Sequence, residues 1–378
     1  MKKILIIHSK YRLLGGEDIV VENETIQLKK FFIVKNLNFS NLKFNLLDLI
    51  YLLMRSNFSS NTYLQKVINE FNPDLVYIHN LWFKGNLGIL KILKKNNIKT
   101  VIKFHNYRLF CIQGMHFRNN KYCNKCKKNR GFGLFYKCYK NSYFLSFLLT
   151  IFNRRMENLI QNSNFKIFVI SEYHKNYLRN LNFNNNQIET VYNYLPQKVS
   201  INSKIQLPNK YILYLGRISE TKGVQHLIES YTESILNEIK LVIIGELEPS
   251  VNLNLLNNTN IFKFDKIPNL EALSVIERAE AVVLPSLSLE GHPTIISEAL
   301  SRRKIVICPN MGSLPEFFPK EYFFIYKVND FEDLRSKLNK VTDKELMKEQ
   351  TNLAYKYWCS FNNELKIITK LKSFINEK

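Results

Sequence analysis

Residues 281–298 read AVVLPSLSLEGHPTIISE. The opening AVVLP is apolar and β-prone, the pattern of a strand buried on both faces of a parallel sheet. A short polar turn follows, and Pro293 then opens a stretch of helical character. Proline suits a first helical turn, where a missing N–H costs nothing. Strand, polar loop and helix together form the repeating unit of an α/β sheet. The same arrangement aims free backbone N–H groups and a positive dipole end at an anion. Glu290 stands in the loop, and Glu298 lies close to two helical turns beyond it, on the face that looks back. Carboxylates so placed can accept hydrogen bonds from hydroxyl groups of a ligand. A helix start with two solvated glutamates is the plain alternative.

The pattern recurs at 211–223, YILYLGRISETKG. An apolar run turns at Gly216 and presents Arg217 and Lys222 before a helix that begins near Gly223. The carboxyl end of a strand is where an α/β sheet binds ligands. Arginine suits bidentate contact with a phosphate and lysine acts as a point charge, so the two make an oxyanion clamp. Solvated cations are the alternative on so basic a chain.

Working outward, further apolar runs mark strands at 4–7, 75–78, 100–104, 166–170 and 189–192, and again at 240–245, 261–264 and 304–309, with helical periods between them. Strands alternating with helices predict parallel sheets covered on both sides. A length of 378 residues suits two such domains. The polar stretch 196–208, PQKVSINSKIQLP, carries a proline at each end and reads as the linker.

Four places now coincide. They are Gly15-Gly16 after the opening strand, Arg217 with Lys222, Glu290-Gly291-His292-Pro293 with Glu298, and Gly312-Ser313-Leu314-Pro315-Glu316. On these residues the chain resembles the family-4 retaining glycosyltransferases of the GT-B fold, of the bacterial cell-surface polysaccharide type. The likeness runs through nearly the whole chain, with the motifs in the expected order. Two departures stand out. Arg302 and Arg303 lie where the family often has a small residue, and Gly312-Ser313 replaces a common Gly-Gly pair.

The resemblance implies an α/β fold of two Rossmann-like domains facing a cleft. Residues 1–195 would form the acceptor side and 209–355 the nucleotide-sugar donor side, with a helix in 356–378 crossing back to the first domain. It implies transfer of a sugar, with retention, from a nucleotide-diphosphate sugar to a lipid-linked or growing glycan in O-antigen, capsule or lipopolysaccharide synthesis. His105, Arg217, Lys222 and Glu290 would be catalytic. Gly15, Gly16, Gly291, His292, Pro293, Thr294 and Glu298 would join Arg217 and Lys222 in holding the donor. His79 is a lesser candidate by the same logic as His105, since both follow a strand. No Asp-x-Asp occurs in the chain, so no catalytic cofactor is expected and the two cations would take the place of a divalent metal.

Charge and cysteines leave other readings open. Lys+Arg number 54 against Asp+Glu 32, a net charge of +22 that attracts polyanions. From Arg118 to Arg155 there is no acidic residue, and aromatics are interleaved with the cations. Such a stretch suits an anionic membrane surface, with nucleic acid as the rival partner. Cys111, Cys123, Cys126 and Cys138 fall in the same region. The Cys123–Cys126 spacing is that of a zinc knuckle, and four thiolates would complete a structural zinc site; disulfides and plain thiols are the alternatives. A basic nucleic-acid-binding protein with such a knuckle explains the charge but not the paired glutamates. A nucleotide-sugar epimerase of the same fold is a third reading. The apolar part of MKKILIIHS is too short for a signal-peptide core, and the longest apolar stretch, 143–152, is too short to span a bilayer. The expectation is a cytoplasmic protein, peripheral on the inner face of the membrane, with no nucleic-acid partner.

Overall fold

The computed structural model describes residues 1–10, 15–40, 57–82, 85–196, 200–249, 251 and 258–377. Residues 11–14 of the opening loop and 197–199 of the expected linker fall outside them. The chain divides into two compact units. Unit 1 holds Met1–His116, Asn124–Tyr194 and Asn363–Lys378, and unit 2 holds Phe117–Cys123 and Leu195–Asn362. Each contains a six-stranded parallel sheet, as the alternating apolar runs predict, and the architecture is that of two Rossmann-like domains.

In unit 1 the strands are β1 (Lys3–Lys10), β2 (Ile33–Ser40), β3 (Leu75–Asn80) and β4 (Thr100–Phe104). Next in the chain is a two-stranded hairpin, β5 (Phe117–Arg118) with β6 (Lys121–Tyr122), which belongs to unit 2. Then come β7 (Lys166–Val169) and β8 (Ile188–Thr190). The main sheet runs β2-β1-β3-β4-β7-β8. Its chain direction of travel reverses between β1 and β3, which makes the carboxyl ends of those two strands the switch point where such sheets take ligands. The β1–β3 register shifts between Ile7 and His8, so Ile7 faces Ile78 and His8 faces Asn80, leaving His79 as the extra residue. A bulge of this kind re-aims side chains at the end of a strand.

The unit 1 core joins both ends of the chain. Ile4, Ile6, Tyr77 and Val101 pack in one cluster with Ile367, Ile368, Leu371 and Ile375 of the helix Leu365–Asn376. The returning segment starts at Asn363. Residues 356–362, assigned from sequence to that segment, belong instead to unit 2. The reason is that the helix Lys344–Phe361 is continuous, buries Ala354 and Trp358, and ends only at Asn362, whose side chain and Leu195 exchange two backbone–amide bonds.

In unit 2 the strands are β9 (Tyr211–Leu215), β10 (Lys240–Ile244), β11 (Ile261–Phe264), β12 (Ala281–Val283), β13 (Ile305–Pro309) and β14 (Ile325–Tyr326). Their order is β11-β10-β9-β12-β13-β14. The switch point lies between β9 and β12. Those are the two strands whose following loops carry Arg217, Lys222 and Glu290.

One buried ion pair sits inside unit 1. Lys103 on β4 is fully buried and bonded to Glu24 of the helix Gly16–Lys29, itself 1 % exposed. Glu24 also accepts from the Tyr77 hydroxyl at 2.8 Å. Removing one member of such a pair strands the other charge in a low-dielectric interior and costs about 3–5 kcal/mol. Lys103→Met should therefore lower the urea midpoint sharply. Adding Glu24→Gln, which retains an acceptor for Tyr77, should recover much of the loss. Equal midpoints for wild type and Lys103→Met would contradict this account.

Candidate functional site

In unit 2 the site is assembled from three loops at the carboxyl ends of β9, β12 and β13. The chain turns at Gly216, makes a short 3-10 turn over Glu220–Lys222 and enters the helix Val224–Thr232 through Gly223. Gly223 has φ +66°, and a Cβ there would lie 2.0 Å from the Pro285 carbonyl oxygen. Only glycine permits that approach. It brings the β9 loop against the β12 loop, where the Leu287 N–H donates to the Thr221 carbonyl at 2.9 Å.

The result is that Lys222 and Glu290, distant in sequence, meet. Lys222 Nζ lies 2.5 Å from Glu290 Oε1, and the Ser286 hydroxyl donates to the same oxygen at 2.6 Å. The third loop locks the backbone beneath them. Ser313 Oγ donates to the Glu290 carbonyl at 2.8 Å and also bonds the Gly291 carbonyl. An ammonium has three donors, so the Glu290 bond leaves Lys222 able to reach a second anion. Arg217 is exposed and pairs instead with Glu248 at 3.3 Å. Its carbonyl accepts from the buried Tyr214 hydroxyl at 2.5 Å. The structure thus joins Lys222 to Glu290 and pairs Arg217 with a carboxylate that sequence reading did not single out.

The helix Thr294–Ser301 begins one residue later than expected, with Pro293 as the residue before it rather than in its first turn. No side chain caps this end, so its first N–H groups and dipole remain available to an anion. Thr294, Gly291 and Pro293 are half-buried around it. Glu298 is half-buried on the same helix, with the Asn269 amide 3.5 Å from its carboxylate. His292 is placed differently. It is buried, stacked on Phe317 with ring centroids 4.1 Å apart, and its Nε2 is 3.1 Å from Ser297 Oγ. These contacts give it a packing role in shaping the loop.

In unit 1 His79, at the carboxyl end of β3, and His105, directly after β4, form a pair. His79 Nδ1 and His105 Nε2 are 2.9 Å apart, with the rings stacked at 5.2 Å. Burial first, and then neighbouring positive charge including Lys103, holds both well below the ordinary histidine range. Both are neutral at pH 7, so each can serve as donor and acceptor at once. A cavity of about 60 Å³ opens beside them, lined also by Trp82, Phe104, Asn106 and Arg108. The Arg108 guanidinium lies 5.2 Å from the Trp82 ring centre.

A second polar group stands at the end of β1. His8 Nε2 lies 2.9 Å from Asp18 Oδ1, and Asp18 Oδ2 accepts from the Gly15 N–H at 2.9 Å. Burial opposes the Asp18 charge, but the bonds from His8 and Gly15 outweigh it and hold the carboxyl below its ordinary range. Glu17, next to it, accepts from the Asn106 amide at 3.1 Å. Burial, then the Asp18 charge, raises Glu17 to about 8, against Arg108, Asn106 and Asn80. Sequence reading stopped at the glycine pair and missed these residues. The signal was there: His8 closes the first apolar run, and Glu17-Asp18 directly follow Gly16. Gly15 itself is extended, with open space where a Cβ would stand.

Cys111 and Cys126 are buried, Cys123 and Cys138 half-buried. Among the described residues no group of three or more His, Cys, Asp or Glu side chains is close enough to hold a metal.

Glu17 keeps its proton in the folded chain at pH values where an unfolded glutamate has lost it. Folding stability should therefore fall as pH rises from the ordinary carboxylate range through about 8. Glu17→Gln should flatten that dependence in urea titrations run between pH 5 and 9. An identical pH dependence in wild type and variant would show that Glu17 ionises normally.

Comparison with known proteins adds the following. Residues 197–357 match the family model for glycosyl transferases group 1, and residues 45–195 match that for glycosyltransferase family 4. The teichuronic acid biosynthesis glycosyltransferase TuaC of Bacillus subtilis is 27% identical over 155 residues, 40% of this chain and 39% of that protein. The chain thus spans about two fifths of that relative's length. Sucrose-phosphate synthase from Thermosynechococcus elongatus superposes with TM-score 0.73 at 13% identity, over 99% of both chains. Anabaena Alr3699/HepE, solved in complex with UDP and glucose, superposes with TM-score 0.66 at 12% identity, also over 99% of both.

Proposed function

This chain belongs to the group 1, family-4 glycosyltransferases of the GT-B fold, and from that premise we propose a retaining enzyme that moves a sugar from a nucleotide-diphosphate sugar to a lipid-linked or growing surface glycan. The observation that carries the reading is the unit 2 switch point. There the loops after β9 and β12 carry a lysine held by a carboxylate, an exposed arginine and an uncapped helix N-terminus. That constellation suits a diphosphate, because each group offers donors or positive charge where negative charge grows on the leaving group. The teichuronic acid assignment of TuaC supports a cell-surface polysaccharide product, and the UDP in HepE supports a nucleotide donor.

In this reading unit 2 takes the donor and unit 1 the acceptor. Glu290 fixes the direction of the Lys222 ammonium. Glu298 accepts from ribose hydroxyls. The neutral His79–His105 pair offers a hydrogen bond to a sugar hydroxyl without a charge that would compete with the leaving group. Front-face attack retains the configuration, with the departing diphosphate assisting removal of the acceptor proton. Since Arg217 and Lys222 supply the positive charge, transfer proceeds without a divalent metal.

Replacing Lys222 or Arg217 by alanine should reduce turnover by about 10²-fold. Glu298→Ala should weaken the donor by about 1.5–3 kcal/mol in calorimetry. Wild-type transfer should persist in EDTA. Unchanged turnover in the Arg217→Ala, Lys222→Ala double variant, or abolition by EDTA with recovery on adding Mg²⁺, would refute the assignment.

A surface of unit 1 supports a membrane partner. No helix among the described residues is long and apolar enough to cross a membrane. Yet Phe135, Tyr143, Phe144 and Phe147 are 69%, 57%, 55% and 47% exposed, the last three on the first turns of the helix Tyr143–Gln161. Lys125 lies over Tyr136 at 4.7 Å and Lys137 over Tyr143 at 4.4 Å. Amphipathic aromatics flanked by cations suit an anionic bilayer on the inner face of a cell membrane, at about 1 kcal/mol for each basic residue near it. Binding to vesicles should require anionic lipid, weaken with salt, and drop when Phe144 and Phe147 become serine. Equal binding to neutral vesicles, or a preference for nucleic acid, would overturn this placement.

A further inference from the structure

Three polar side-chain atoms of unit 1 are buried without a hydrogen-bond partner at the carboxyl end of β1 and the helix start beside it: His8 Nδ1, Ser9 Oγ and Glu17 Oε1. His8 is 1% and Ser9 0% exposed, and the Glu17 side chain 11%. Buried polar atoms are ordinarily satisfied, so a cluster of orphans calls for a missing partner. Their other ends are well held, by Asp18 on His8 and by Asn106 on Glu17.

The partners fix what each orphan offers. Asp18 is a carboxylate and accepts only, so the neutral form of the His8 ring has its proton on Nε2 and presents Nδ1 as an acceptor. Glu17 is a neutral acid at pH 7. Its Oε2 accepts from Asn106, which leaves Oε1 to carry the proton. His8 Nδ1 and Glu17 Oε1 stand 4.0 Å apart, too far to bond each other. One oxygen between them can bond both, at about 2.7–2.8 Å from each. That oxygen must donate to Nδ1 and accept from Oε1. A hydroxyl does both, whereas a phosphate or carboxylate oxygen cannot donate and an ammonium cannot accept.

We infer that His8 and Glu17 bind one hydroxyl of the acceptor sugar, with Asp18 as the residue that positions the His8 ring. The inference rests on the glycosyl-transfer reading, which gives unit 1 the acceptor. The place agrees with it, since β1 and β3 flank the switch point of this sheet. The charged and titratable groups that face Glu17 are His8 from β1, Asp18 on its own helix and Arg108 from the loop after β4. Asn80 and Asn106 are its uncharged neighbours.

The test uses the full chain and a panel of methyl hexosides with their monodeoxy analogues, with binding followed by saturation-transfer NMR. Wild type should bind one hexoside and bind one of its monodeoxy analogues about tenfold less well. Asp18→Asn, which can donate to Nε2 and so shift the His8 proton to Nδ1, should weaken the hexoside by a similar factor. Glu17→Ala should do the same. Glu17→Gln, whose amide donates as the neutral acid does, should recover the affinity at pH 7. It should also abolish the weakening that wild type shows above about pH 8, where Glu17 loses its proton. Melting curves confirm that each variant is folded. Absence of binding by every hexoside, or equal affinity in wild type, Asp18→Asn and Glu17→Ala, would mean the orphans hold water only and the inference fails. The wider reading is tested apart from this by thermal shift of the wild-type chain with UDP- and GDP-sugars. Hexoside binding with no response to any nucleotide sugar would sink that reading and leave the hydroxyl site standing.

Discussion

The close passage of residue 223 over the Pro285 carbonyl is the constraint on which the unit 2 site depends. A side chain at 223 would occupy the space of that oxygen. With glycine there, the loops after β9 and β12 share a backbone hydrogen bond, and an ammonium and a carboxylate from distant parts of the sequence come within 2.5 Å. Gly312 on the third loop is constrained by its backbone angle and packs against a side chain, where Gly223 meets a carbonyl. Its φ is +60° and a Cβ would meet Leu289 at 2.4 Å. These backbone contacts thus set the positions from which Lys222 and Glu290 reach each other.

The two units solve the same packing problem with different electrostatics. Both are parallel sheets, and both place their polar residues where strand order reverses. In unit 2 the switch point carries exposed or half-exposed cations. In unit 1 the corresponding place is nearly neutral: Lys103 is cancelled by Glu24, the two stacked histidines are uncharged, and Glu17 keeps its proton. A neutral, hydrogen-bonding surface suits hydroxyl groups, and a positive one suits phosphate. The contrast follows from burial, since a charge without a partner is not tolerated in the interior.

Most strands were legible because parallel strands covered on both faces are continuous apolar runs, as in ILII, LVYI and KLVII. Within the two six-stranded sheets, two strands were not. β2 is an edge strand that alternates apolar residues with Lys35, Asn36 and Asn38 and leaves half its residues exposed, and β14 has only two residues. Site residues were legible where a loop motif is local, as with Lys222 and Glu290. Those whose role comes from contacts across the fold were hidden. Lys103 sits inside the run TVIKF, and nothing in that run announces Glu24, 79 residues earlier. Glu248 was hidden because its partner Arg217 lies on a different loop.

The helix Leu365–Asn376 fills the core of the unit that contains β1. On the ribosome this reverses the usual order, in which an N-terminal domain folds first as it emerges. Unit 2 is complete in sequence before the final helix is made. Unit 1 leaves the exit tunnel with Ile4, Ile6 and Tyr77 still uncovered on one side, and it waits for residues 365–376 to close. Over that interval its apolar face is open to chaperones and to other nascent chains. Closing it requires residues joined through the whole of unit 2, an entropic cost that grows only slowly with the length of the loop. The second unit, once folded, also shortens the effective tether between the two ends of the first. The order of synthesis thus makes the second domain an assembly aid for the first.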